Sequence, residues 1–137
     1  MRIIMGVFVA LCVTGAAAWA QDTTAPPPAS QPVAGPHAII ETSMGTIVIA
    51  LDPAHAPATV KNFIRYAREK HFDGTVFYRV VPGALIQAGS YEANGKFHGH
   101  MNKPVVFEGD NGLANLRGSV AMAHGDDPDS ATAEFFI

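Results

Sequence analysis

Apolar and β-branched positions cluster in two β-rich runs, Ala38–Thr42 and Thr46–Leu51, on either side of Ser43-Met44-Gly45. The pattern predicts a hairpin with a short glycine turn. After a loop at Asp52–Pro57 the period lengthens: Val60, Phe63, Ile64 and Ala67 recur at i, i+3, i+4 and i+7. This spacing gives a helix from about Pro57 with one apolar face, and Lys61, Arg65 and Arg68 turned to water. Proline suits the first helical turn, where its missing N–H has no partner to lose. Asp73-Gly74 is a turn, and the strand pattern resumes at Thr75-Val76-Phe77-Tyr78-Arg79-Val80-Val81. Alternation sends Val76, Tyr78 and Val80 one way and Phe77, Arg79 and Val81 the other. Pro82-Gly83 turns the chain into a second apolar run that carries Gln87.

From Ser90 to Asn102 the pattern dissolves into Gly, Asn, His and Lys, which predicts a long loop. Val105–Phe107 is a short β run and Asp110-Asn111-Gly112 a turn signal. Ser119–Ala123 is expected to be a strand, His124–Ala133 a polar loop, and Glu134–Ile137 the start of another strand. The sequence stops on Phe135-Phe136-Ile137, three large apolar residues. Ending inside a buried strand leaves edges and apolar faces uncovered, so the chain reads as a fragment of a longer domain.

The N-terminal residues change the picture from one segment to three. Arg2, the apolar run Ile3–Val13 and the small-x-small site Ala18-Trp19-Ala20 read as a signal peptide over 1–20. The apolar run is too short to span a bilayer, so no stable membrane insertion is expected once it is cleaved. Residues 21–36 hold five prolines among Thr, Ala, Ser and Gln and read as a disordered linker. One small domain is expected over 37–137. Cys12 is the only cysteine, so the mature chain has neither a disulfide nor thiol catalysis. The full chain carries nine basic and twelve acidic residues. Losing Arg2 leaves eight against twelve, a net of −4 with no basic stripe, which excludes nucleic acid as a partner.

Candidate chemistry centres on Arg79. A guanidinium has five donors, no acceptor and a charge it cannot lose, so among apolar residues it is either paired to a carboxylate or aimed at a ligand. The other candidates are weaker. His98 and His100, with His124, lie in loops with no element to set metal geometry, and are read as solvated histidines. Asp126, Asp127 and Asp129 lack the glycine and terminal glutamate of a calcium loop and are read as a solvated acidic loop. No metal and no cofactor are expected. Nucleophile elbows and phosphate loops are absent from the sequence.

Four stretches in order carry a resemblance: F-Y-R-V-V-P-G-x-x-I-Q-x-G at Phe77–Gly89, D-N-G-L at Asp110–Leu113, R-G-x-V-A-M-A at Arg117–Ala123, and D-S-A-T-x-E-F-F-I at Asp129–Ile137. Together they resemble the cyclophilin-type peptidyl-prolyl cis/trans isomerases, especially the exported bacterial ones. The resemblance implies a mainly β fold, an antiparallel barrel of eight strands capped by two helices, of which this chain holds part. It implies that Arg79 is catalytic and that Gln87 bonds substrate backbone and positions Arg79. Leu85 and Phe136 match walls of the proline pocket, and Ala123 and His124 match the groove for preceding residues, with Phe77, Met122 and Glu134 beside them. Three residues depart from the family's habit: Ala84 where phenylalanine is usual, Glu134 where glutamine is commoner, and Tyr78 for a common histidine. Glu134 is expected to pair with Arg79 or another groove cation, and the tyrosine to be harmless.

The function implied is rotation about X-Pro bonds in unfolded or exported proteins, by a monomer in the periplasm. The alternatives are a proline-peptide-binding module with little catalysis and an inactive fragment.

Overall fold

The computed structural model describes residues 35–99 and 102–137. The expected signal peptide, most of the linker and His100 lie outside the described residues. The hairpin forms as β1 (His37–Thr42) and β2 (Gly45–Ala50), paired from His37↔Ala50 to Thr42↔Gly45. Gly45 turns the chain at φ +130°, a conformation side chains resist. Helix α1 covers Pro57–Arg68. A second antiparallel sheet contains β3 (Arg79–Val81), β4 (Leu85–Ala88), β5 (Ala121–Met122) and β6 (Phe135–Phe136), in the spatial order β3-β4-β6-β5.

The core lies between α1 and these sheets, with Ile49, Leu51, Val60, Phe63, Ala88 and Phe135 at its centre. Phe135 is the hub. Its ring lies 5.5 Å from Phe63, 5.7 Å from Phe72 and 6.2 Å from Phe77, each edge-on. Edge-to-face packing sets a ring's positive rim against its neighbour's negative face, adding to the burial term.

Several elements differ from the sequence pattern. The buried side of α1 carries Val60, Asn62, Phe63 and Tyr66, whereas Ala67 is exposed. Asn62 turns inward because its Nδ2 donates to the Thr132 carbonyl at 2.6 Å, a partner seventy residues away. The strand expected from Thr75 begins only at Arg79, and β3 is exposed throughout. Val105–Phe107 makes only a bridge, Val105 to Ala131. The loop after Ser90 is tied rather than solvated. His98 is half-buried, its Nδ1 donating to the His71 carbonyl at 3.0 Å and its Nε2 lying 2.8 Å from Glu92. The acidic loop is not merely solvated either: Asp129 accepts from the Phe107 N–H, and Asp127 caps the 3₁₀ turn at Pro128–Ser130.

Ala56 offers no side chain to cap α1, and no acidic residue stands in its first turn. Glu108 supplies the cap from fifty residues away, accepting from Ala58 N at 3.0 Å and Thr59 N at 2.8 Å. A carboxylate there satisfies two orphan donors and faces the positive end of the helix dipole. Burial works to raise the Glu108 pKa, but the N–H groups of Thr59 and Ala58, with the Thr59 hydroxyl, outweigh it and hold it below 4.5. Glu108→Ala is expected to cost on the order of 1 kcal/mol, read as a lower denaturation midpoint at unchanged slope. A depressed carboxylate stabilises above its unfolded pKa and loses that contribution as pH falls through the folded value. The gap between wild type and variant should therefore be full at neutral pH and narrow below 4.5.

Candidate active site

The register of the second sheet builds the site. Arg79 pairs with Gln87, Gln87 with Phe136, and Phe136 with Ala121. Directly opposed residues in antiparallel strands share a face, so one row crosses all four strands with its side chains on one side. Period two adds Val81 and Leu85, which are themselves paired. Glu134 joins from the residue before β6, where its carbonyl accepts from Ala123 N at 2.8 Å. On the other face Ala88, Met122 and Phe135 belong to or pack against the core.

The turn that sets this register is local. Ala84 N donates to the Val81 carbonyl at 3.0 Å, with Gly83 at φ +75° in the third position. That is a type II turn, with proline at its second position and glycine where only a positive φ fits. At the other end of β4, Gly89 passes so close to the neighbouring strand that a Cβ would lie 2.5 Å from the Ala133 carbonyl oxygen.

Side-chain chemistry on the row is polar and connected. Arg79 Nη1 donates to Gln87 Oε1 at 3.1 Å. Gln87, 7% exposed, donates through Nε2 to the Tyr78 hydroxyl oxygen at 2.6 Å and to Glu134 Oε2 at 3.0 Å. The Tyr78 hydroxyl donates to Glu134 Oε2 at 2.9 Å. Burial, then the Glu134 carboxylate, pushes the Tyr78 hydroxyl up to about 12, so it stays protonated at any physiological pH. Among the described residues no ion pair joins Arg79 to a carboxylate, and the strand that carries it is exposed. Glu134 is thus engaged with Gln87 and Tyr78 instead of with Arg79 or another cation.

The structure brings Arg79, Gln87, Leu85, Glu134 and Phe136 to one face, with Ala123 beside them. It places Met122 on the opposite face, paired with Phe135 and packed against the core. Phe77 also packs against the core, because the chain before Arg79 is not a regular strand and alternation does not carry through it. His124 is exposed, with Nδ1 donating to the Gly125 carbonyl at 2.7 Å and its ring 5.9 Å from Phe107. Tyr78, expected to be harmless, is joined to Gln87 and Glu134, and the stretches that carry the three meet only in the fold. Two open grooves flank α1, of about 570 and 310 Å³, and no residue of the row lines either. Among the described residues no three His, Cys, Asp or Glu side chains are grouped to hold a metal ion. No described helix is long and apolar enough to cross a membrane.

The family described as cyclophilin type peptidyl-prolyl cis-trans isomerase/CLD matches residues 37–137. Peptidyl-prolyl cis-trans isomerase A of Dickeya dadantii is 44% identical over 114 residues, covering 83% of this chain and 60% of that protein. Peptidyl-prolyl cis-trans isomerase B of Escherichia coli is 46% identical over 96 residues, covering 70% and 58%. The chain thus spans about 60% of the length of these relatives or slightly less. Among solved structures, a Cryptosporidium parvum cyclophilin determined in the presence of the dipeptide Ala-Pro superposes with a TM-score of 0.62 at 22% identity, covering 74% of this chain and 66% of that one. A cyclophilin from Hirschia baltica gives 0.61 at 21%, covering 72% and 55%. A mainly β fold with antiparallel sheets, a row set by register around Arg79, and a family match across the whole of 37–137 meet in one conclusion: the chain belongs to the cyclophilin-type peptidyl-prolyl cis-trans isomerase family.

Proposed function

We propose that this chain catalyses cis/trans rotation about X-Pro bonds in unfolded or exported proteins, as a monomer acting in the periplasm after loss of an N-terminal signal. The observation that carries the reading is the Arg79–Gln87 pair, in register with Phe136 on one face of the sheet. Rotation about an X-Pro bond faces a barrier of about 18–20 kcal/mol, because amide resonance must break. Twisting leaves the proline nitrogen pyramidal, with a localised lone pair. A guanidinium N–H aimed at that lone pair stabilises the twisted state more than either planar one, which is the requirement for catalysis. Gln87 holds one edge of Arg79 while other N–H groups remain to donate. Lysine has no planar fork with which to do both. Phe136 and Leu85 offer apolar surface to the proline ring. No bond is made or broken, so the chemistry needs no nucleophile. Family membership supports the reading, as do the isomerase names of relatives above 40% identity.

The test is exchange NMR on a peptide containing Ala-Pro, with the chain at catalytic amounts. Faster interconversion of the cis and trans signals is expected. Binding of the peptide with no faster exchange would overturn the isomerase reading and leave a proline-peptide-binding module.

A further inference from the structure

Gln87 can act on Arg79 only if its amide faces the right way, and the two ends of an amide have the same shape. What decides between them is the partner on the far side. Glu134 Oε2 accepts from Gln87 Nε2 at 3.0 Å and from the Tyr78 hydroxyl at 2.9 Å. An ionised carboxylate accepts and never donates. The single hydroxyl hydrogen of Tyr78 is committed to that carboxylate, so toward Gln87 the Tyr78 oxygen can only accept, as it does at 2.6 Å. Both hydrogens of the Gln87 amide thereby find acceptors, and Oε1 is left to Arg79. In the flipped amide Oε1 would face a carboxylate and a spent hydroxyl, while Nε2 would face a guanidinium. Each of those contacts sets like against like. At 7% exposure Gln87 has little water to relieve them.

We infer that Tyr78 and Glu134 are positioning residues that lock the Gln87 amide in the one orientation that holds Arg79, acting on the substrate only through that pair. The inference rests on the isomerase reading for its effect on turnover, but the lock itself is a property of the folded chain. The high Tyr78 pKa agrees with it, since a hydroxyl that stays protonated keeps Glu134 and Gln87 in fixed roles. Charge is the essential element. Glutamine at position 134 would present an acceptor or a donor equally well, so a second self-consistent network would open in which Gln87 is flipped. The carboxylate of Glu134 thus commits the Gln87 amide to one orientation.

The experiment compares Glu134→Gln and Tyr78→Phe with the wild-type chain, alone and on an Arg79→Ala background. In wild type the Gln87 side-chain amide should give two well-separated, slowly exchanging proton signals. In Glu134→Gln those signals should broaden or double, kcat should fall about ten-fold with KM within two-fold, and the thermal midpoint should stay in place. Tyr78→Phe keeps the carboxylate and should have a smaller effect of the same kind. It also serves as the folded variant if Glu134→Gln does not fold. On the Arg79→Ala background neither change should lower turnover further. Unaltered Gln87 signals in both variants, a change confined to KM, or a full additional loss without Arg79 would each overturn the lock. If Glu134→Gln disorders the Gln87 signals in a chain that isomerises no peptide, the lock stands and the isomerase reading alone fails.

Discussion

Replacing Arg79 with alanine is expected to lower catalysed X-Pro exchange by about 10²–10³, the usual loss when one preorganised donor to a transition state is removed. The fold should survive, because Arg79 lies on an exposed strand whose backbone bonds to β4 do not involve its side chain. The circular dichroism spectrum and thermal midpoint should match wild type. Loss should fall on kcat more than on KM, since the planar ground-state peptide presents no localised lone pair for the guanidinium to meet. Arg79→Lys should recover little, because an ammonium cannot accept the hold of Gln87 and donate to substrate in one plane. Turnover undiminished in Arg79→Ala would remove the basis for an isomerase centred on this row.

Two adjacent phenylalanines should give opposite results. Phe135 and Phe136 are neighbours on β6, and successive strand residues face opposite sides. Phe135 is 3% exposed and its ring meets three others. Phe135→Ala is expected to cost about 3–5 kcal/mol, which is a large share of what holds a domain of this size folded. Loss of cooperative thermal unfolding would be the readout. Phe136→Ala should leave the unfolding midpoint near wild type and instead raise KM for a proline peptide, because its ring lies on the Arg79 face. Equal destabilisation by both changes would mean that the two faces of the sheet are not distinct.

The local signals in the sequence proved sufficient for the β1–β2 hairpin, the start of α1 at Pro57 and the turn at Pro82-Gly83. Each depends on residues within a few positions of one another. The association of Gln87 with Arg79 came from the family resemblance, and the register across the tight turn is what brings the two together. What the pattern could not supply came from far along the chain. Asn62 turns inward for a carbonyl at Thr132, and Tyr66 displaces Ala67 from the buried face of α1. Met122 pairs with Phe135 and Phe77 packs beside it, placements that depend on strand pairing rather than on position in the sequence. Tyr78 and Glu134 are fifty-six residues apart, and neither announces the other until the strands are paired.

The cap that Glu108 places on α1 has a dynamic consequence. Its carboxylate and the Asn111 amide, which donates to the His55 carbonyl, tie the 108–111 loop to the first turn of the helix and the residues just before it. Moving either part away from the other breaks these bonds. Fraying of the helix start and lifting of the loop are therefore expected to be one opening event. In native-state hydrogen exchange the Ala58 and Thr59 amides should share a single protection level with the loop, and Glu108→Ala should split it in two.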